Sequence, residues 1–281
     1  MASTTSKSLI AIKLPSNWRW LMTMYCLCLA GVALFTGMQE WLNYQLPALD
    51  SAFPTSTLTV AVDPTFPPFA VDTGGRYEGI DIDLANEIGA RLGVDVQFVG
   101  MSFDSLYDAL QEERVDVIIS ALLFNPAQTR DVHYTRHYFN NGLLLVTDSE
   151  RPTISRSTDL PSHALALEYG SVAHGTANTW AQRLAPFTLR PYELPSYALD
   201  AVRLGDADVA LVDASTLFAY QARYPNWQNH TSQVTDAFYA IGVKHERDAL
   251  WRWIDVTLRD IQNDGTLGRI IETGFNRLQS E

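Results

Sequence analysis

The chain has 281 residues, 47% of them hydrophobic, and a formal net charge of −12. That length is enough for one or two ordinary domains with substantial cores, and the acidity argues against nucleic acid and anionic lipid surfaces as partners. Cys26 and Cys28 are the only cysteines and both precede residue 57, so neither disulfides nor thiolate–metal sites hold the remainder together.

Residues 1–20 form a basic leader, with Lys7, Lys13 and Arg19 and no acid, and residues 21–38 carry no charge. A basic lead before an apolar run is an export signal or a membrane anchor. The basic leader stays cytoplasmic, so the rest is expected on the periplasmic or extracellular side of the cytoplasmic membrane, secreted or N-terminally anchored. Small residues at Gly31/Ala33 and Cys28/Ala30 offer cleavage sites, while 18 residues sit at the short end of a bilayer span. Cleavage and retention both stay open. Cys26 and Cys28 are not preceded by the small residues of a lipoprotein signal. Residues 39–56, with Pro47 and Pro54 and no sustained period, read as a linker. Three basic and two acidic residues precede residue 57, which leaves 17 against 30 and a net charge of −13 for the remainder.

From residue 58 the pattern alternates between strand and helix. Residues 58–62 are strand-like and lead into the proline-rich "DPTFPPF". Leu84, Ile88 and Leu92 give helical spacing over 81–92, closed by Gly93. Residues 94–99 alternate as a strand, 103–112 repeat as a helix, and "VDVIIS" (115–120) is a short apolar run of the kind found in buried parallel strands. A second cycle follows: strand 164–167, helix 176–184, strand 188–192, helix 197–204 and strand 209–212. "AFYAIGV" (237–243) is a further strand, 248–261 carries a helical stripe, and "NDGTLGRIIETGF" gives a turn and a last helix. "DALQEERVDVIISA" (108–121) aligns without gaps on "DAVRLGDADVALVD" (200–213), matching Asp108, Ala109, Asp116 and Val117 with Asp200, Ala201, Asp208 and Val209. The cycles predict two α/β lobes of one design.

Ligands of open α/β sheets bind outside the carboxyl ends of the strands, so the residues after each strand are the candidate site. They are Asp63, with Phe66 and Phe69, after the first strand, then Phe103, and then Ser120 followed by "ALLFNPAQTR" with Leu122. In the second cycle they are Gly170-Ser171 and Asp213. Prolines fix φ and remove donors, so Phe66 can be presented as a stacking face for an apolar or cationic ligand. Alternatively Phe69 is core and Phe66 plugs a loop. Asp213 either holds a ligand ammonium or caps a helix over 215–220, and Ser120 either meets ligand or bonds backbone. Catalytic constellations are poor. "HYTRH" lacks an acidic companion for zinc, His174 near Ser171 reads as a surface pair, and no G-x-S-x-G, P-loop or G-x-G-x-x-G occurs. No cofactor or metal is expected, and no enzyme activity.

The stretches "TVAVDPTFPPFAVDTGGRYEGIDIDLANEIGARLGVDVQFV", "FDSLYDALQEERVDVIIS", "DADVALVDAS" and "NDGTLGRIIETGF", in that order, resemble the family 3 extracellular solute-binding proteins, the periplasmic amino-acid receptors of ABC transporters. The resemblance covers about residues 56–275. It implies a periplasmic-binding-protein-like type II α/β fold, with two lobes joined by two hinge strands and, here, an N-terminal hydrophobic helix ahead of them. The crossings would lie near 142–148 and 236–243, with lobe one at 57–146 plus 242–281 and lobe two at 147–241. It implies a small polar, amino-acid-like or amine-bearing ligand, an ABC transporter permease as partner and a monomer. Family roles fall on Asp63 as the first-strand acid, Phe66 and Phe103 as walls, Ser120 as the strand-end serine, Asp213 as the amine-holding acid, and Gly170-Ser171-Val172 as a loop offering N–H groups. The carboxylate pocket departs from the family pattern. Leu123 stands where that pattern has a hydroxyl residue, Gln128 stands in place of its arginine, and Arg130 lies two residues further on. Gln128 keeps hydrogen-bonding capacity without the arginine fork, which contributes about 1.5–3 kcal/mol. Two other readings keep the fold: a membrane-tethered ligand sensor, and a periplasmic dehydratase of prephenate or arogenate type. With no sequence after the binding module, a fused peptidoglycan-cleaving domain is not expected.

Overall fold

The computed structural model describes residues 18–43 and 46–278. It divides into two units, Met1–Pro47 and Ala48–Glu281. In the first, helix α1 (Trp18–Asn43) runs through the uncharged segment. Its side chains that are described, from Met22 to Leu34, are exposed. Residues 1–17 of the leader, and the side chains of Arg19, Leu21 and 35–43, lie outside the described residues. Among the described residues no helix is long and apolar enough to cross a membrane.

The second unit holds two five-stranded sheets and a small one. The first sheet has the order β5 (Asp95–Gly100), β1 (Thr57–Val62), β6 (Val117–Ile118), β13 (Phe238–Lys244), β7 (Val132–Asn140). The second has the order β10 (Thr188–Tyr192), β9 (Ala164–Glu168), β11 (Val209–Asp213), β8 (Leu143–Asp148), β12 (Asn229–Gln233). In each, the first three strands are parallel and the fourth runs antiparallel to both of its neighbours. The chain changes sheet at Asn141–Gly142 and again over residues 234–237. The sequence-based borders at 146/147 and 241/242 therefore fall inside β8 and β13. Both are continuous apolar runs, and hydropathy does not say which sheet a buried strand joins.

Alternation decides the layering. On β1, Leu58, Val60 and Val62 join one core cluster and Ala61 the other; near β6, Val117 and Ile119 oppose Ile118 and Leu122. On β11, Val209 and Leu211 face one layer and Ala210 and Val212 the other. Helices α3 (Ile80–Leu92), α4 (Leu106–Gln111), α8 (Asp248–Asn263) and α9 (Thr266–Arg277) belong with the first sheet, and α5 (Val172–Ala181), α6 (Pro195–Leu204) and α7 (Ala214–Arg223) with the second.

The internal repeat is structural. Asp116 donates its N–H to Thr59 O at 2.8 Å and accepts the Thr59 N–H on Oδ2 at 2.8 Å. Asp208, its match 92 positions on, does the same with Ala164, at 3.0 and 2.7 Å. Each aspartate locks the start of the edge-proximal parallel strand of its own sheet and also pairs with an arginine, Arg247 and Arg151 respectively.

Two segments differ from the sequence expectation. Residues 49–53, read as linker, form the one-turn helix α2 (Leu49–Ala52) and bury Ala52 and Phe53 in the core. A single turn is too short for a periodic signal. The proline-rich segment folds as a small sheet of β2 (Thr65–Phe66), β3 (Ala70–Asp72) and β4 (Tyr77–Glu78). Gly79, at φ +133°, returns this sheet to α3 so closely that any side chain would meet the carbonyls of Pro68 and Phe69.

Candidate functional site

A cleft of about 800 Å³ opens between the two sheets. It lies beyond the carboxyl ends of β1, β6, β9 and β11, where parallel strands leave their loops free to converge. Asp63, Phe66, Phe103 and Ser120 line it from the first lobe; Glu168, Ser171, Val172 and Asp213 line it from the second. Asn141, Gly142 and Asp236 from the two crossings, and Tyr239 from β13, close its back.

Asp63 is half-buried and works on its own loops. Its Oδ1 accepts from Thr65 N at 3.1 Å and Thr65 Oγ1 at 2.7 Å, and its Oδ2 accepts from Phe103 N at 3.2 Å. One carboxylate thus ties the segment bearing Phe66 to the segment bearing Phe103. Phe66 is 44% exposed and stacks on the buried Phe69, with centroids 5.6 Å apart and planes 12° apart. Phe69 is core, edge-on to Phe139 and Tyr239. Both sequence alternatives for the pair therefore hold in part: one ring anchors and the other is presented.

Ser120 is 4% exposed, and its Oγ accepts from Asp63 N at 2.8 Å. A hydroxyl keeps one donor and a second lone pair beyond that bond. The next residue, Ala121, sits at φ +42° and donates its N–H to Asp81 Oδ2 at 2.7 Å inside the protein. Asp81 is fully buried, takes Tyr138 Oη–H on Oδ1 at 2.7 Å, and is raised by desolvation from 3.8 to about 7.

In the second lobe Asp213 does two things. Its Oδ1 caps α7, accepting from Thr216 N at 2.8 Å and Ser215 Oγ at 2.7 Å. Among the described residues its Oδ2 accepts nothing and remains for the cleft. Ser171 caps α5 through His174 N and donates to Glu168 O. The cap leaves the first N–H groups of α5 beside the cleft. Tyr239 is 8% exposed; its hydroxyl accepts from Asn141 Nδ2 at 2.8 Å, and burial pushes it up to about 12.

Two residues expected at the site, Leu122 and Gln128, lie outside the cleft lining. Leu122 is fully buried between Leu106 and Val132 in the core under the first sheet, because alternation turns it away; its neighbour Leu123, 48% exposed, lines the cleft instead. Gln128 ends the turn Pro126–Gln128 outside the cleft lining, as does the exposed Arg130. Sequence reasoning missed Glu168, Asn141, Asp236, Tyr239 and Asp81. Glu168 had a signal, being the first charge after the strand run "ALAL". Tyr239 and Asp81 lay inside runs read as strand and helix, and the crossing residues carry no periodic mark. Of "HYTRH", His133 and His137 lie on β7; His133 packs on His245 and Trp251, and His137 stacks on Phe238. Among the described residues no group of three or more His, Cys, Asp or Glu is placed to hold a metal ion.

Two α/β lobes, two crossing segments and a cleft between them make up the type II periplasmic-binding-protein fold. The chain belongs to the bacterial extracellular solute-binding proteins, family 3, which it matches over residues 58–277. By that membership it is an extracellular solute-binding protein. It is 28% identical to the probable ABC transporter arginine-binding protein ArtJ of Chlamydia trachomatis, over 75% of this chain and 82% of that one. It is 25% identical to the ABC transporter arginine-binding protein 1 of Escherichia coli K12, over 78% and 90% of the two chains. Among solved structures, it resembles an ancestral cationic amino acid solute binding protein, at 25% identity and a TM-score of 0.61 over 82% of this chain and 100% of that one. The L-cystine solute receptor of Neisseria gonorrhoeae, in an unliganded open conformation, shares the fold at 21% identity and a TM-score of 0.69, over 82% and 97% of the chains.

Proposed function

We propose that this protein captures a small amine-bearing solute in the cleft and that closure of the lobes about the two crossings presents it to an ABC permease. The observation that carries this reading is Asp213, which lines a cleft walled by aromatic rings and whose helix cap engages Oδ1 and, among the described residues, not Oδ2. A carboxylate fixed by its own cap is preorganised for an ammonium group, since little side-chain freedom remains to be lost on binding. Phe66 and Phe103 supply faces for an alkyl or cationic portion. Ser120 and the α5 terminus at Ser171 supply hydrogen bonds, and Asp63 holds both aromatic loops in place. Relatives named as arginine-binding support an amine ligand.

The first lobe is read as running from the start of β1 to Asn141 and resuming at β13, with the second between. The N-terminal segment directs export, its basic leader retained on the cytoplasmic side and residues 21–38 acting as signal or anchor. N-terminal sequencing of the mature protein tests the tether: a start near Leu34 means a free receptor and an intact leader a tethered one.

Calorimetric titration of the purified protein with the common amino acids and simple alkyl amines tests the binding role. At least one titrant binds, and Asp213→Asn, which keeps a cap acceptor while removing the charge, weakens it at least tenfold. Equal binding by the two proteins would remove the amine role from Asp213.

A further inference from the structure

The cleft contains four carboxylates, Asp63, Glu168, Asp213 and Asp236, and no lysine, arginine or histidine among its lining residues. Three of the four retain unengaged oxygen among the described residues. Asp213 keeps Oδ2, Asp236 accepts only from Asn140 Nδ2, on Oδ1, and the Glu168 side chain accepts nothing. The electropositive features at the lining are the amino ends of α5, α6 and α7, each dipole amounting to roughly half a charge and that of α7 being capped by Asp213 itself. On the first-lobe wall the chain offers Leu123, an exposed alkyl side chain. Arg130 and Gln128 stand outside the lining. Glu168 and Asp213 end adjacent parallel strands, β9 and β11, so their charges reinforce one another on one wall.

We infer that the ligand is an organic cation that carries an amine or guanidinium and no carboxylate. The inference rests on the amine-binding reading above and names the class of ligand that site takes. A zwitterionic amino acid would bring its carboxylate into a chamber lined by four carboxylates, with partial charges at helix ends and no cationic side chain to oppose them. The decarboxylated molecule keeps every favourable contact: its cationic end meets Asp213 and Glu168, its alkyl chain lies against Phe66, Phe103 and Leu123, and any second cationic end meets Asp236. Like charge in a partly enclosed cleft is screened far less than on an open surface.

Pairs of ligands that differ only by the carboxylate test this directly. Agmatine against arginine, cadaverine against lysine and putrescine against ornithine are titrated calorimetrically into the purified wild-type protein at about pH 7.5 and physiological salt. The expected result is that the decarboxylated member of at least one pair binds tenfold or more tightly than its amino acid. Glu168→Gln is expected to narrow that ratio at least threefold, because it removes one of the charges that repel the carboxylate. Binding of each amino acid as tightly as its amine would overturn the inference while leaving the amine role of Asp213 standing. Failure of all six, and of the common amino acids, to bind would overturn both.

Discussion

The side-chain amide of Asn141 donates to the Tyr239 hydroxyl at 2.8 Å while its carbonyl accepts the Ser215 N–H at 2.8 Å. One residue on the first crossing thus joins the back of the cleft to the start of α7, two positions from Asp213. Asn141→Ala leaves a half-buried hydroxyl and a helix N–H without this partner. An unsatisfied group costs about 1–3 kcal/mol, so urea denaturation is expected to show a loss in that range with an unchanged m-value. A loss under about 0.5 kcal/mol would mean water replaces the amide in both bonds.

Asp81 makes stability depend on pH in an unusual direction for an acid. Unfolded, it ionises near 3.8; folded, burial holds it at about 7 despite the Tyr138 and Ala121 bonds. Between those pH values the folded state keeps a proton that the unfolded state has lost. Its stabilising contribution is therefore complete below about pH 4 and is lost as pH rises to about 7. Asp81→Asn removes this titration, and comparing variant with wild type cancels the carboxylates that shift downward, such as Asp264. Thermal melts at pH 5, 6, 7 and 8 should show the variant's Tm gaining on wild type with rising pH, and a constant gap would refute the assignment.

Phe66 and Phe69 stack on one another but carry different loads. Phe69 is 1% exposed and edge-on to three aromatic rings, so Phe69→Ala is expected to cost about 3–5 kcal/mol of stability. Phe66→Ala removes a presented ring. It should cost under about 1 kcal/mol in stability and about tenfold in affinity for a cationic ligand. Denaturation and calorimetry on the two variants read both quantities.

At Gly142 the two crossings touch. A side chain there would collide with the Thr235 carbonyl oxygen and the Gln233 side chain. Gly142→Ala must push the crossings apart, and the effect should reach ligand binding as well as folding, because Asn141, Gly142, Thr235 and Asp236 all line the cleft. Gly175→Ala, on α5 with open space around it, is the control and is expected to leave affinity within twofold.

The sequence by itself determined the two-lobed α/β design, through period-3.6 and apolar runs in two cycles and a repeat whose Asp116 and Asp208 make the same pair of bonds. It also determined that Asp63, Phe66, Phe103, Ser120, Ser171 and Asp213 stand at or after strand ends, since parallel strands end on one side of a sheet. Tertiary structure decided which residues share the cleft. Leu122 and Leu123 differ by one position in a strand-like run, and only packing chooses which faces the core. Glu168, Asp236 and Tyr239 reach the cleft because two sheets from distant parts of the chain meet there. The acidic character of that meeting place arises from charges far apart in sequence, and no local pattern records their proximity.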